Sequence, residues 1–203
     1  MSVLAILGEV VRLFKVIFGI LTFIVSISVW SGQTATAIFA AGCFWCIQHD
    51  FDHVSGVIKT IVGYTGGQLH HPTYAEVSHG GTGHYEAIEV IYDPAKVSYV
   101  QLLNVFWHHI DPTDARGQFC DTGDQYRAAI FYRNQKEKQL AEMSKKALMH
   151  SGRFKQITTQ ILPVVTFYPA EEYHQKYYQK NPLRYQFYRY NCGRDQRLKH
   201  IWG

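Results

Sequence analysis

Hydrophobic residues after residue 34 occur in short blocks whose spacing alternates between that of a strand and that of a helix. Residues 85–92 alternate, so that Ile88, Val90 and Tyr92 share one face while Glu89 lies on the other. The apolar positions of residues 98–110 instead follow the 3.6-residue period of a helix. Along the chain, the pattern predicts strands over 35–41, 57–64, 85–92, 127–132 and 161–167, and helices over 44–54, 98–110, 134–150 and 171–178.

This order of elements predicts a single α+β domain. Strands that alternate with helices favour a sheet with helices packed on it, because each amphipathic helix must bury its apolar face. The order β-α-β followed by β-α-β-α-β fits a two-layer sandwich with a split βαβ, ferredoxin-like core. We expect loops over 68–83 and 111–124, and an irregular C-terminal tail from Asn181 onward, where no clear period is present.

The N-terminal 37 residues differ from the rest of the chain. Arg12 and Lys15 precede an uncharged apolar run over 16–30, and Ala-Thr-Ala at 35–37 resembles a signal-peptidase site. We expect residues 1–37 to be a signal peptide or an uncleaved N-terminal membrane anchor, and 38–203 to be the catalytic domain. The protein would then be exported, either periplasmic or anchored to the inner membrane. A buried helix of a cytosolic protein is the remaining alternative.

Composition excludes several classes of protein. Of the 203 residues, 47% are hydrophobic and 18% charged, and the glycines and prolines show no repeat. These values exclude disorder, collagen, coiled coils and multi-span membrane proteins, and four cysteines are too few for a disulfide-framework miniprotein. A formal net charge of +4 spread along the chain is too weak to indicate nucleic acid as a partner.

The sharpest chemical feature is the sequence Gly-Cys-Phe-Trp-Cys at 42–46, on a predicted strand-to-helix junction. Cys43 would lie at the helix N-terminus, where free N–H groups and the helix dipole favour a thiolate. We therefore expect Cys43 to be a nucleophile of lowered pKa, and Cys46, one turn later, to be close enough to capture its oxidised form. Two structural core cysteines are an alternative, and so is a zinc site, although neither Cys120 nor Cys192 completes a second C-x-x-C pair.

Two carboxylates are candidates for proton transfer or for support of it. Glu86 has the same strand parity as Ile88, which would direct it to the buried face and raise its pKa, giving a neutral donor. A salt-bridged or edge-exposed glutamate is the alternative. Asp121 lies in a predicted loop, where a plain turn aspartate is the commoner case.

The eleven histidines do not form a pattern that indicates a metal site. The pairs at 70–71 and 108–109 are adjacent in sequence, so their side chains cannot face one ion from a regular element, and no H-E-x-x-H is present. We expect neither a metal nor another cofactor.

Four ordered blocks resemble the type A peptide methionine sulfoxide reductase family. They are Gly-Cys-Phe-Trp at 42–45, Pro-Thr-Tyr at 72–74, Gly-His-Tyr-Glu-Ala at 83–87 leading into Val-Ile-Tyr-Asp-Pro at 90–94, and Asp-Pro-Thr at 111–113 followed by 117–121 and 123–127. The resemblance extends from Ile38 to the C-terminus.

The resemblance implies a thiol reaction that converts methionine (S)-sulfoxide, free and in proteins, to methionine. Cys43 would attack the sulfoxide sulfur and remain as a sulfenic acid, which a second thiol converts to a disulfide. Phe44 and Trp45 would form the apolar pocket for the substrate's methyl group. A thioredoxin or thioredoxin-like reductant would then restore the enzyme, which we expect to be a monomer that repairs oxidised proteins.

The same resemblance assigns roles around the sulfoxide oxygen. Glu86 would protonate this oxygen, with hydrogen bonds from Tyr74 and Tyr126, and Asp121 would support the network.

The resolving thiol is ambiguous because the chain has both Cys46 and Cys192. Many members of the family have glycine at the position of Cys46 and resolve through a cysteine on a mobile C-terminal tail. The tail around Cys192 contains glycine and shows little periodicity, so we favour Cys192 over Cys46. Cys120 replaces an asparagine that many members have, and we treat it as structural or as a spare thiol.

Two other functions compete with this one. A general thiol–disulfide oxidoreductase would use Cys43 and Cys46 but does not account for Glu86, Tyr74 and Tyr126. A non-enzymatic exported binding module would have only structural cysteines and no reactive thiol.

Overall fold

The computed structural model describes residues 33–203. The predicted leader lies outside these residues apart from its last few positions. The strands are β1 (Ala35–Ala41), β2 (Val57–Thr65), β3 (Tyr85–Tyr92), β4 (Gly117–Gln118), β5 (Asp121–Thr122), β6 (Ala128–Tyr132), β7 (Gln160–Pro163) and β8 (Tyr168–Pro169). The helices are α1 (Phe44–Asp52), α2 (Tyr74–His79), α3 (Tyr99–His108), α4 (Gln135–His150), α5 (Tyr177–Lys180), α6 (Pro182–Asn191) and α7 (Arg194–Trp202).

Six of these strands form one sheet in the order β7-β6-β1-β3-β2-β8, and β4 and β5 form a separate small hairpin. All neighbouring pairs in the sheet are antiparallel except β6 and β7. Strand β3 lies between β1 and β2, and β1 lies between β3 and β6. The two split βαβ units share their central strands, which confirms the predicted α+β, ferredoxin-like core.

The main core lies between one face of the sheet and helices α1 and α3. Alternate residues of the central strands, such as Phe39 and Ile88, point to this face and are fully buried. Phe51 of α1 and Phe106 of α3 stack on Phe39, with ring centroids 5.3 and 5.2 Å away. The helix side of the sheet therefore holds α1, and with it residues 44–46, against the middle strands.

The C-terminal region differs from the prediction of an irregular tail, because α6 and α7 are regular helices. Helix α6 begins with Pro182 at its first turn, and α7 begins after Gly193 in the left-handed conformation, both of which are helix-boundary signals. The helices lack a readable apolar period because their buried residues include Tyr185 and Arg194 as well as Ile201.

Three smaller predictions were also wrong. The expected loop over 68–83 contains α2, capped by the reciprocal hydrogen bonds of Thr73 and Glu76. The last large strand ends at Pro163 rather than 167, and the helix expected over 171–178 is confined to α5.

The predicted boundary between residues 37 and 38 falls inside β1. Ala35 pairs with Tyr92 and Ala37 pairs with Val90, and Ala37 is completely buried. The folded domain therefore includes at least residues 35–37, which the prediction had assigned to the leader. Among residues 33–203, no helix is long and apolar enough to cross a membrane.

Candidate active site

Cys43 lies at the junction of β1 and α1, where the chain turns sharply. Gly42 has φ of 77°, and a Cβ atom there would lie 2.6 Å from Cβ of Gln118. Only glycine meets both requirements without strain. Cys43 is the N-cap of α1, as the sequence predicted, and its side chain does not cap the helix. Its sulfur is thus free to react.

Glu86 lies on the helix side of β3, directly beneath this junction, and is 2% exposed. Its Oε2 accepts a hydrogen bond from the backbone N–H of Phe44 at 2.9 Å. Burial raises the pKa of Glu86 to about 8, against the opposing effect of that hydrogen bond. The strand-parity argument for a buried, neutral carboxyl therefore agrees with the structure.

Cys43 and Cys46 are both buried and belong to the same small cluster of packed side chains. Burial raises the pKa of Cys43 well above its usual range, and the carboxyl groups of Glu86 and Asp121 raise it further. The neighbouring Cys43 thiol lowers the pKa of Cys46, and the charge of Arg194 adds to this effect. The prediction of a lowered pKa for Cys43 was wrong, because burial of the thiol and its neighbours Cys46 and Glu86 outweigh the effect of the helix N-terminus.

Tyr74 and Tyr126 come from opposite sides of the junction and meet above it. Tyr74 begins α2, where its backbone N–H donates to Glu171 at 2.8 Å, and Tyr126 ends the short 3-10 turn before β6. Both tyrosines line the same pocket beside Cys43. Burial raises the pKa of Tyr74 to about 12, so its hydroxyl is a proton donor throughout the neutral range.

Phe44 and Trp45 form the apolar part of the site. Phe44 is buried against the rings of Tyr74 and His174. The indole N–H of Trp45 donates to Nδ1 of His174 at 3.0 Å, and its ring stacks on Tyr177 with centroids 3.8 Å apart. Burial lowers the pKa of His174, which keeps the ring neutral and able to accept this hydrogen bond.

Asp121 lies in the β4–β5 hairpin and is held by a residue that sequence reasoning missed. The hydroxyl of Tyr188, from α6, donates to Oδ2 of Asp121 at 2.5 Å. Burial raises the pKa of Asp121, although this hydrogen bond lowers it. Asp121 is thus a partly buried carboxylate of the site rather than a plain turn aspartate.

These side chains enclose one pocket of about 70 Å³. Its lining combines the seven residues predicted for nucleophile, proton donors and apolar wall with one more: Cys43, Phe44, Trp45, Tyr74, Glu86, Asp121, Tyr126 and Tyr188. A thiol, a neutral buried carboxyl and three phenols thus converge on a small space with one apolar wall. This arrangement can bind a compact polar oxygen, protonate it, and present a sulfur nucleophile.

Comparison with known proteins identifies the family. A family model described as peptide methionine sulfoxide reductase matches residues 35–203. The chain belongs to the peptide methionine sulfoxide reductase family. Peptide methionine sulfoxide reductase MsrA of Bacillus subtilis is 52% identical over 174 residues, which cover 85% of this chain and 98% of that protein.

Two solved structures resemble this member of the reductase family. Methionine sulfoxide reductase A of Corynebacterium diphtheriae is 37% identical, with a TM-score of 0.67 over 75% of this chain and 78% of that one. The structure of Mxr1 from Saccharomyces cerevisiae in complex with Trx2 is 23% identical, with a TM-score of 0.51 over 72% of this chain and 86% of that one. The second likeness concerns the fold alone.

The remaining cysteines of this reductase-family chain are arranged differently from the expectation. Cys192 is bonded to Cys120 in a disulfide, and it lies at the C-terminal end of α6 rather than on an irregular arm. Cys120 is therefore a disulfide partner and not a spare thiol. Among the described residues, Cys43 and Cys46 are the two free cysteines, and both are buried.

Proposed function

We propose that this protein reduces methionine (S)-sulfoxide, free and in proteins, to methionine through a sulfenic acid on Cys43. The observation that carries the proposal is the pocket itself, in which the Cys43 thiol and the buried carboxyl of Glu86 face the same small space. Membership of the reductase family supports the reaction. The S preference follows from the type A resemblance.

Glu86 acts as the general acid. A sulfoxide oxygen is a poor leaving group until it is protonated, and a carboxyl with a pKa of about 8 holds its proton at neutral pH. Tyr74 and Tyr126, whose hydroxyl groups line the same pocket, donate further hydrogen bonds to this oxygen. Asp121, which lines the same pocket, supports this network.

Cys43 supplies the nucleophile and Cys46 resolves the product. The Cys43 sulfur attacks the sulfoxide sulfur and takes over its oxygen, so that methionine leaves and Cys43 becomes a sulfenic acid. The Cys46 thiol then attacks the Cys43 sulfur, which forms the Cys43–Cys46 disulfide and releases water. The two thiols are neighbours in the buried site, and the pKa of Cys46 is lowered by Cys43 and by the charge of Arg194, which favours this step. Cys192, engaged with Cys120, is the less suitable resolving thiol.

Phe44 and Trp45 bind the methyl group of the substrate. Both rings are fixed by neighbours, Phe44 by the core and Trp45 by His174 and Tyr177, so the apolar wall is formed before substrate arrives. A preformed wall of this kind binds without the entropic cost of ordering side chains.

The Cys43–Cys46 disulfide needs a two-electron reductant in every cycle, and we propose a thioredoxin or a thioredoxin-like protein. Yeast Mxr1, which has the same fold as this chain, has been solved in complex with Trx2, and this complex supports the choice. If residues 1–37 export the protein to the periplasm or anchor it to the inner membrane, the donor would have to operate in that compartment. Finding the full-length chain in the soluble cytosolic fraction would contradict export.

Single-turnover experiments test the roles of the two thiols. Wild-type protein, Cys43→Ser and Cys46→Ser are each mixed with excess methionine (S)-sulfoxide without reductant. We expect no methionine from Cys43→Ser, because an alcohol is not nucleophilic enough. Cys46→Ser should release methionine and stop at a sulfenic acid that dimedone traps on Cys43. Rapid disulfide formation between Cys43 and Cys192 in the Cys46→Ser variant would instead make Cys192 the resolving thiol.

A further inference from the structure

The Cys120–Cys192 disulfide joins the two segments that supply one wall of the pocket. Cys120 lies in the turn of the β4–β5 hairpin and directly precedes Asp121. Cys192 ends α6 one helical turn after Tyr188, and its N–H donates to the Tyr188 carbonyl at 2.9 Å. Both Asp121 and Tyr188 line the pocket that contains Cys43.

A hydrogen bond closes this connection into a ring. The path runs from Asp121 through Cys120 and the disulfide to Cys192, back along one turn of α6 to Tyr188, and from its hydroxyl to Asp121 at 2.5 Å. The Cys120 N–H also contacts the Cys192 sulfur at 3.2 Å. The Asp121–Tyr188 hydrogen bond therefore forms between groups that a short covalent path already holds close together.

We propose that the Cys120–Cys192 disulfide is a positioning device of the active site, which holds Asp121 and Tyr188 against the pocket and takes no part in the catalytic cycle. This inference rests on the proposed function. It assigns to the C-terminal cysteine a role different from that of a resolving thiol.

Each segment is held to the domain by a few polar contacts, such as the ion pair of Arg189 with Asp50 and the hydrogen bonds between Gln118 and Asp111, and by little apolar packing. Helix α6 buries only Tyr185, while Leu183, Phe187 and Tyr190 are largely exposed. Strands β4 and β5 have two residues each and pair only with each other. A covalent link can supply the order that packing does not provide, because it removes alternative arrangements of both segments.

The position of Asp121 affects the reacting groups. Its carboxyl group contributes to the raised pKa values of both Glu86 and Cys43. If Asp121 moves away, the pKa of Glu86 should fall, and less of the general acid should be protonated near pH 8.

A double-mutant cycle tests the positioning role. The variants are Cys120→Ser/Cys192→Ser, Tyr188→Phe, and all three changes together, assayed on methionine (S)-sulfoxide with thioredoxin as the reductant, at concentrations where thiol titration shows that the Cys120–Cys192 disulfide stays intact. We expect Tyr188→Phe to reduce kcat/KM about tenfold in the presence of the disulfide and about twofold or less in its absence. In the double-serine variant, the single-turnover rate should also begin to decline at a lower pH than in the wild type. The proposal would be overturned if Tyr188→Phe lowered kcat/KM equally in both backgrounds and the pH of the alkaline decline did not change.

A count of methionine released distinguishes positioning from electron relay. Fully reduced protein, freed of reductant, is mixed with excess substrate. One turnover oxidises Cys43 and Cys46 and releases one methionine, so wild type and the double-serine variant should both release one per chain. Two per wild-type chain, with Cys120 and Cys192 oxidised, would show a relay and overturn the proposal. If neither the wild type nor any variant releases methionine, the proposed function itself is wrong.

A second pair of substitutions serves as a control for effects on folding. Cys120→Ala/Cys192→Ala should give the same kinetic result as the serine pair, with the far-ultraviolet circular dichroism of wild type. If the disulfide only stabilised the fold, partially unfolded protein would lower kcat in proportion to the native fraction and leave the pH of the alkaline decline unchanged. That outcome would contradict the positioning role.

Discussion

The buried carboxyl of Glu86 combines two properties that a general acid needs. It lies under the N-terminus of α1 with Oε2 2.9 Å from the Phe44 nitrogen, which fixes its orientation. Its burial raises the pKa to about 8, so the proton is present at neutral pH and still transferable.

Replacement of this carboxyl should remove the acid and little else. Glu86→Gln keeps the shape of the side chain and should lower the turnover rate by roughly 10²–10⁴, the usual contribution of a general acid. The matched control is Glu89→Gln on the same strand, which points to the other face of the sheet. A decrease of only a few-fold for Glu86→Gln would show that Tyr74 and Tyr126 carry the proton.

The pH dependence should report the same group. Because the protonated form of Glu86 is the active form, the single-turnover rate should decline as pH rises through about 8. Glu86→Gln has no proton to lose there, so its residual rate should lack this decline. A wild-type rate that stays constant from pH 7 to pH 10 would contradict the assignment.

At the scale of elements, the turn from β1 into α1 places the thiol. Gly42 has φ of 77°, and its position leaves no room for a Cβ atom beside Gln118. This one turn sets the position of Cys43 above Glu86.

The turn can be tested with a pair of glycines that differ in their surroundings. Gly42→Ala and Gly81→Ala add the same atom at nearly the same φ, 77° and 78°, but only the first meets a neighbour within 4 Å. Both should lose about 1 kcal/mol of unfolding free energy from backbone strain, and Gly42→Ala should lose about 1–3 kcal/mol more from the clash. Urea denaturation measures the difference. Equal losses would mean that the turn adapts without cost.

The hydrogen bond from Trp45 to His174 holds the apolar wall of the pocket in place. His174→Phe removes the acceptor for the Trp45 indole N–H while keeping an aromatic ring beside Phe44. We expect KM for the sulfoxide to rise about tenfold, the cost of leaving that N–H unpaired, with kcat within about twofold of wild type. His53→Phe is the control, because His53 is exposed and lies at the opposite end of α1. A loss confined to kcat would place His174 in the chemical step instead.

At the scale of the whole molecule, the sequence correctly predicted the position of those residues whose local pattern agrees with their burial in the fold. Strand alternation placed Glu86 on the core face, and the change of period at Gly42 placed Cys43 at a helix start. Tyr188 and His174 were missed because their roles depend on contacts with Trp45 of α1, which the local sequence pattern does not show. The pKa of Cys43 was mispredicted for a similar reason, since the neighbouring carboxyls and the burial of the thiol arise only in the assembled fold.

The start of the domain gives a whole-molecule prediction. A chain that begins at Ile38 lacks the pairings of Ala35 with Tyr92 and of Ala37 with Val90, whereas one that begins at Gln33 keeps them. The shorter chain should unfold with at least about 1 kcal/mol less free energy, because buried backbone groups of β3 lose their partners. Urea denaturation of the two fragments beside the full chain tests this. Identical midpoints would show that residues 35–37 are dispensable for the fold.

The central claim is that the pocket around Cys43 reduces the S epimer of methionine sulfoxide. The most direct measurement follows methionine by chromatography after incubation of the full-length protein with free methionine (S)- or (R)-sulfoxide and excess dithiothreitol. We predict methionine from the S epimer only, and none from either epimer with Cys43→Ser. No methionine from the S epimer, in protein whose Cys43 and Cys46 thiols still titrate, would contradict the claim.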